Sequence, residues 1–161
     1  MGVYRVAEVC LNGHVTTDSA DTQPQHRQKY CSTCGETTTT SCPNCSASIR
    51  GDYHVEAVAI IGHTYTPPFY CHNCGNPFPW TQRRIASAIE LVEIDKHLSS
   101  AEIEQFRTDV TELTRSGPRT VVATARFKNT LSKIGISAAT GLREILIDVL
   151  SDAAKKAIWG G

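Results

Sequence analysis

Residues 31–45 read CSTCGETTTTSCPNC. Two Cys-x-x-Cys turns flank four consecutive threonines. A pair spaced by two residues turns tightly enough for both sulfurs to reach one metal ion. A tetrahedral metal needs two such pairs, so each turn requires a partner elsewhere. One lies upstream in CLNGH, which supplies Cys10 and His14, and one downstream in CHNC, which supplies Cys71 and Cys74. Together with Cys31, Cys34, Cys42 and Cys45, these use all seven cysteines of the chain and one of its six histidines. The expectation is eight ligands for two zinc ions.

Sequential pairing gives Cys10/His14/Cys31/Cys34 and Cys42/Cys45/Cys71/Cys74, two consecutive zinc ribbons. A cross-braced arrangement, as in RING or FYVE modules, would join first pair to third and second to fourth. Sequential pairing is preferred, because the stretch from Cys45 to Cys71 is long enough for a hairpin arm and holds strand-forming residues. Either way each ion has four protein ligands and no open position, which is the pattern of a structural rather than a catalytic zinc.

Composition agrees with a small stapled module followed by a conventional one. The chain has 161 residues and 40% hydrophobic content, concentrated in its second half. Met1 to Val15 shows no basic start followed by an apolar run, so no secretory leader is expected. Val6 breaks the myristoylation pattern, and no apolar stretch is long enough to span a bilayer. The expected compartment is the cytoplasm, where thiols stay reduced and are free to bind metal. Residues 1–79 carry four basic and six acidic side chains. Seven thiolates offset by two Zn²⁺ bring that half to about −5, which argues against phosphate-backbone binding there.

The predicted architecture is α+β: a tandem zinc-ribbon module at 1–79 and an α-helical region at 80–161. In the first part, Val3 to Val9 reads as a short strand, 16–29 as a polar loop, Glu36 to Ser41 as a strand, and Tyr53 to Thr66 as a strand pair turning at Gly62-His63. In the second, about four helices are expected. They run from Thr81 to Leu98, from a Ser99/Glu102 capping box to Gly117-Pro118, from Pro118 to Lys133, and from Thr140 to Trp159.

The order YCSTCG, a Thr-rich strand, CPNC with IRG, then PPFYCHNCG and PFPW is similar to bacterial double zinc-ribbon proteins. It resembles in particular an uncharacterised bacterial family in which this pattern precedes a helical tail. The resemblance covers residues 5–85 well and the helices loosely. It implies the sequential eight-ligand arrangement and carries no activity.

No phosphate-cradling Gly-rich loop, nucleophile elbow or HExxH motif occurs, so no enzyme is expected. The acids Glu90, Glu93 and Asp95 fit a solvated helix face. His72, between two ligands, is expected to face solvent, and His26, His54, His63 and His97 lack partners at ligand spacing. Residues 86–114 hold seven acids against two bases, whereas 115–141 hold Arg115, Arg119, Arg126, Lys128 and Lys133 with no acid. Complementary helix faces are the favoured reading, and a nucleic-acid or lipid patch the less favoured one. The terminal Gly160-Gly161 reads as a fraying chain end rather than a modifier tail.

The expected function is a non-enzymatic zinc-binding adaptor that meets a protein partner, or copies of itself, through the C-terminal helices. The broad apolar surface of the last helix motivates that choice. A nucleic-acid-binding accessory protein using the basic third helix is the alternative, and a cross-braced ubiquitin-ligase-like module the third.

Overall fold

The computed structural model describes residues 1–160; Gly161, and with it half of the Gly-Gly tail, lies outside the described residues. The chain is mixed α+β, with small antiparallel sheets and five helices, and it divides into two compact units after Thr81.

In the first unit the expected strand from Val3 to Val9 is two strands. β1 (Val3–Val6) and β2 (Glu8–Cys10) belong to different sheets, and the chain changes sheet at Ala7. Ala7 is fully buried at the crossing and donates its N–H to Ile49 O at 2.9 Å. β2 lies between β3 (Val15–Thr17) and β4 (Thr38–Thr39), both antiparallel to it. The predicted loop at 16–29 therefore begins inside a strand, and it also holds a 3-10 turn at Pro24–His26. Only two of the four threonines form regular strand. Thr37 and Ser41 make single bridges to Tyr30 and Ser48, because each flanking Cys-x-x-Cys turn closes on its own neighbours.

The predicted strand pair at Tyr53–Thr66 does not form. β5 (Arg50–His54) pairs with β1, not with the residues after it. Beyond His54 the chain turns through Ala57, whose φ is +64°, and runs without regular structure. Strand-forming apolar residues make a strand only when one face finds a core. Val58, Ile60 and Ile61 find none and stay 56%, 63% and 95% exposed. Gly51 is required in β5 by a close approach, since a Cβ there would stand 2.0 Å from Asp18 O.

The buried apolar cluster of this unit is small: Ala7, Val9, Ile49, Phe78 and Trp80 with Cys42 and Cys71, while Cys10, Ala20 and Cys31 are buried outside it. Trp80 stacks on Phe78 at 4.6 Å and donates its indole N–H to Pro68 O at 2.9 Å. A core of this size needs a staple.

The second unit is helical. α1 (Pro79–Asp95) starts in the first unit and stops three residues before the expected Leu98, because Lys96 takes a left-handed φ of +63°. α2 (Ser100–Leu113) has the predicted capping box, with Ser99 Oγ accepting from Glu102 N and the Glu102 carboxylate accepting from Ser99 N. It ends before Gly117, where the Thr120 hydroxyl takes over the turn by accepting from Gly117 N and donating to Arg115 O. α3 (Arg119–Lys133) packs on α2, Phe127 lying 5.8 Å from Phe106.

The expected single last helix is two: α4 (Ile136–Leu146), capped by Gly135, and α5 (Asp152–Trp159). Ser151 makes the break. Its hydroxyl accepts from Ala154 N, and its own N–H leaves the helical pattern to donate to Leu113 O at 3.0 Å. Leu142, Leu146, Val149, Leu150 and Ala154 are buried in the same core as Phe106, Val110 and Phe127. The apolar surplus that suggested an association surface is taken up within the unit, because the break at 147–151 turns two faces inward instead of one.

Candidate metal centres

Four turns carry the eight predicted ligands, and three are built alike. In each Cys-x-x-Cys turn the first cysteine's N–H is held by a carbonyl five residues on: Cys31 by Glu36, Cys42 by Ala47, Cys71 by Asn76, at 2.8–2.9 Å. In each, the residue after the second cysteine donates its N–H back to the first cysteine's carbonyl. That residue has a left-handed backbone: Gly35 at φ +75°, Gly75 at +72°, and Ser46 at +64°. Glycine enters this region without cost, whereas serine does so against steric resistance. The Cys10–His14 turn is shorter, with Cys10 N bonded to His14 O and Gly13 N to Cys10 O.

These turns meet in sequence. Cys10, His14, Cys31 and Cys34 form one cluster and Cys42, Cys45, Cys71 and Cys74 the other, the donor atoms of each lying within 4.8 Å of one another. The cross-braced alternative is corrected by this grouping. In the first cluster Cys10 Sγ stands 3.7 Å from Cys34 Sγ and 3.5 Å from His14 Nδ1, and Cys31 Sγ is 3.6 Å from His14 Nδ1. In the second, Cys42–Cys74 is 3.7 Å and Cys45–Cys71 3.6 Å. These separations are far too long for disulfides, and all seven thiols are free. Ligands at about 2.3 Å (sulfur) and 2.0–2.1 Å (nitrogen) from a tetrahedral ion have edges of roughly 3.8 Å (S–S) and 3.5 Å (S–N). Both clusters could hold one metal ion at that geometry.

The two centres share an exposure pattern. The first donor of every pair is buried, the second partly or fully exposed, with Cys34 and Cys74 facing solvent. Backbone N–H groups point at the sulfurs: His14 N at Cys10, Thr33 N at Cys31, Asn73 N at Cys71. Burial pushes the Cys31 thiol up, but the N–H groups of Thr33 and Cys34 outweigh it and hold it down at about 6. At Cys45 the Asn73 side chain and the Ala47 N–H bring the value to about 6. Burial wins at Cys42, which is pushed up to about 11. A dication at the centre would favour the thiolate at every sulfur.

Two outer residues escaped the sequence reading. Asn12 and Asn76 aim their side-chain amides at the exposed sulfurs of Cys34 and Cys74. The only sequence signal is an asparagine beside a ligand, too common to single out. The histidines set aside as ligands lie outside both clusters. His72, His26 and His97 are exposed, and His97 bonds Asp95 at 2.6 Å. His54 and His63 are exposed as well, as expected, and line one pocket with Asp18 and Asp52.

A buried carboxylate network lies on the approach to the first centre. Glu8, only 2% exposed, accepts from Arg27 Nε at 2.8 Å, Gln28 N at 2.7 Å and Thr16 Oγ1 at 2.8 Å, fixing the approach of the chain to Cys31. Among the basic residues of α3, Arg126 pairs with buried Asp109 at 3.5 Å and Lys133 with Glu102, as complementary faces of α2 and α3 require. Among the described residues no helix is long and apolar enough to cross a membrane.

Fold and centres together define an α+β protein in which paired Cys/His turns of the first unit could hold two metal ions and a helical unit follows in the chain. The chain belongs to the family described as uncharacterized protein conserved in bacteria (DUF2321), whose model matches residues 3–158. That span takes in the helices as well as the ligand turns, further than the resemblance over 5–85 reached. No curated protein and no solved structure matches the chain.

Proposed function

We propose that this is a non-enzymatic protein with two structural zinc ions, working as an adaptor in a reducing compartment such as the cytoplasm. The observation that carries the metal reading is the set of 3.5–3.7 Å donor separations, which match the edges of a zinc tetrahedron in both clusters. Four protein ligands per ion leave no position for substrate or water, so the ions hold the fold rather than catalyse. Zinc is preferred over iron for the His-containing cluster because borderline zinc accepts mixed nitrogen and sulfur donors. The adaptor reading is supported by the exposed apolar side chains of the first unit, Val3, Tyr4, Tyr53, Val58, Ile60 and Ile61. These offer a partner more than the last two helices do, whose large side chains are mostly buried.

Tag-free protein purified without added metal should contain two zinc per chain by elemental analysis. Iron, or metal-free protein that stays folded, would overturn the reading. For the adaptor, the native complex should lose its partner when Ile60 and Ile61 are both replaced by Asp while both zinc ions remain. The nucleic-acid alternative is less supported, since ion pairs already engage Arg126 and Lys133.

A further inference from the structure

We propose that Asp18, Asp52, His54 and His63 form a third site in the first unit, an exchangeable one for a divalent transition-metal ion. The four side chains line a single concavity of about 180 Å³. They come from three separate segments. In β5, side chains alternate, so Asp52 and His54 share a face. Asp18 follows β3 and is locked against β5, where Asp52 N donates to Asp18 O at 3.0 Å and Gly51 leaves room for the contact. His63 arrives from the exposed segment after β5.

The electrostatics ask for a cation. The rest of the lining is Tyr53, Val58 and Ile60, without Lys or Arg. Residues 51–82 contain no Lys or Arg at all. Two carboxylates thus face one pocket with only imidazole opposite them. His63 Nε2 stands 3.9 Å from Asp52 Oδ1, too far for a hydrogen bond. Nitrogen and oxygen ligands at about 2.0–2.1 Å from a tetrahedral ion lie roughly 3.3 Å apart, so a small closure of this edge seats an ion between them. Ser19 Oγ donates to Asp18 Oδ1 at 2.9 Å and orients that carboxylate, as outer groups of metal sites do. Asp18 and His54 line the same concavity, but their donor atoms are not gathered within 4.8 Å of that pair, so an ion would have to draw them in.

The donor set defines the ion. Two imidazoles with two carboxylates suit zinc, nickel or copper rather than calcium or magnesium, which take oxygen donors. His63 and Asp52 are substantially solvent-accessible, so this ion exchanges, unlike those in the thiolate clusters. Binding would pin the segment that carries Val58, Ile60 and Ile61 to β5, linking metal supply to how that apolar surface is presented. The site does not rest on the thiolate reading, because its donors contain no sulfur.

The test is calorimetric titration of Zn²⁺ into tag-free full-length protein after desalting, with prior metal content counted. One further equivalent should bind, weaker than the metal already present. His63→Ala and Asp52→Asn should each weaken it at least tenfold while leaving the pre-bound metal count unchanged. Co²⁺ added to the same protein should give weak visible bands without intense sulfur-to-cobalt charge transfer. No saturable extra equivalent, an extra equivalent indifferent to both substitutions, or a sulfur-to-cobalt band would each overturn the proposal.

Discussion

Asn12 and Asn76 hold the same post at different centres: the amide of Asn12 donates to Cys34 Sγ at 3.5 Å, and that of Asn76 to Cys74 Sγ at 3.4 Å. Each is aimed at the one sulfur of its cluster that faces solvent with no burial to protect it. A donor to an exposed thiolate stabilises the charged form and blunts its attack by water or competing ligands. Asn76→Ala should therefore weaken zinc at the second centre by about 10-fold or more, the usual cost of losing an outer-shell partner. Competition with a chromophoric chelator reads this directly. An affinity equal to that of the unmodified protein would show that the amide is incidental.

The two clusters share no donor, so they should fail separately. Cys74→Ser is expected to lose one of the two zinc ions and keep the one bound by Cys10, His14, Cys31 and Cys34. Native mass spectrometry distinguishes one retained ion from none. Loss of both would mean that the second centre is needed to fold the first.

Ser46 is the odd member of three equivalent turns, holding φ +64° where its counterparts are Gly35 and Gly75. The left-handed region costs an ordinary residue roughly 1–2 kcal/mol, of which about 0.5–1 is returned as the extra unfolded-state freedom of glycine. Ser46→Gly should therefore strengthen zinc binding at the second centre by about 2- to 5-fold. Gly75→Ala should weaken it. If Ser46→Gly lowers affinity, the serine makes a contribution other than filling the turn.

The ligand sets were legible because metal spacing is local: the residues that matter sit three or four apart and have few rivals. The capping box at Ser99 and Glu102 was legible for the same reason. What failed depended on distant partners. Val55 to Ile61 is rich in strand-forming residues, yet β5 was claimed by β1 some fifty residues earlier. Ala7 looks like any strand residue until Ile49 is placed beside it. The apolar run from Leu142 to Trp159 gives no local sign that Ser151 will leave the helix to bond Leu113, since serine inside a helix is ordinary. His54 and His63 are exposed, as their lack of ligand spacing implied, and only the folded chain brings them to one concavity.

Glu8 gives a pH signature. Burial pushes its carboxyl up, but the Arg27 side chain, the Gln28 N–H and the Thr16 hydroxyl outweigh that and hold it below the usual range. A carboxylate with a lowered folded-state value contributes stability that is present above its unfolded value, about 4.3, and is lost as pH falls through the folded one. Glu8→Gln should cost about 1–3 kcal/mol at pH 7, the range for losing hydrogen bonds to a buried charge. Its melting temperature should approach that of the unmodified protein below pH 4. Acid would release any thiolate-bound metal from both proteins alike, so the difference between them reports Glu8. A gap that stays constant from pH 7 to pH 4 would assign the loss to packing.

The last helices supply the sharpest check on whether the chain associates through its C-terminal end. If α4 and α5 formed an outward surface, a chain ending at Gly141 would stay folded and merely lose self-association. The structure requires otherwise. Leu142, Leu146 and Leu150 are fully or almost fully buried beside Phe106, Val110 and Phe127, and Trp159 meets Phe127 edge-on at 6.3 Å. Truncation at Gly141 would strip these from the core and leave Phe127 open to water, so the helical unit should lose its cooperative thermal transition. The milder Leu146→Ala should cost about 2–5 kcal/mol, the range for emptying a buried leucine site. The Cys/His clusters lie entirely in the other unit, so both changes should leave the metal content per chain unchanged. Circular dichroism melts paired with metal analysis separate these outcomes. A truncated chain that still melts cooperatively with its remaining helices intact would show that α4 and α5 are appended to the core rather than part of it.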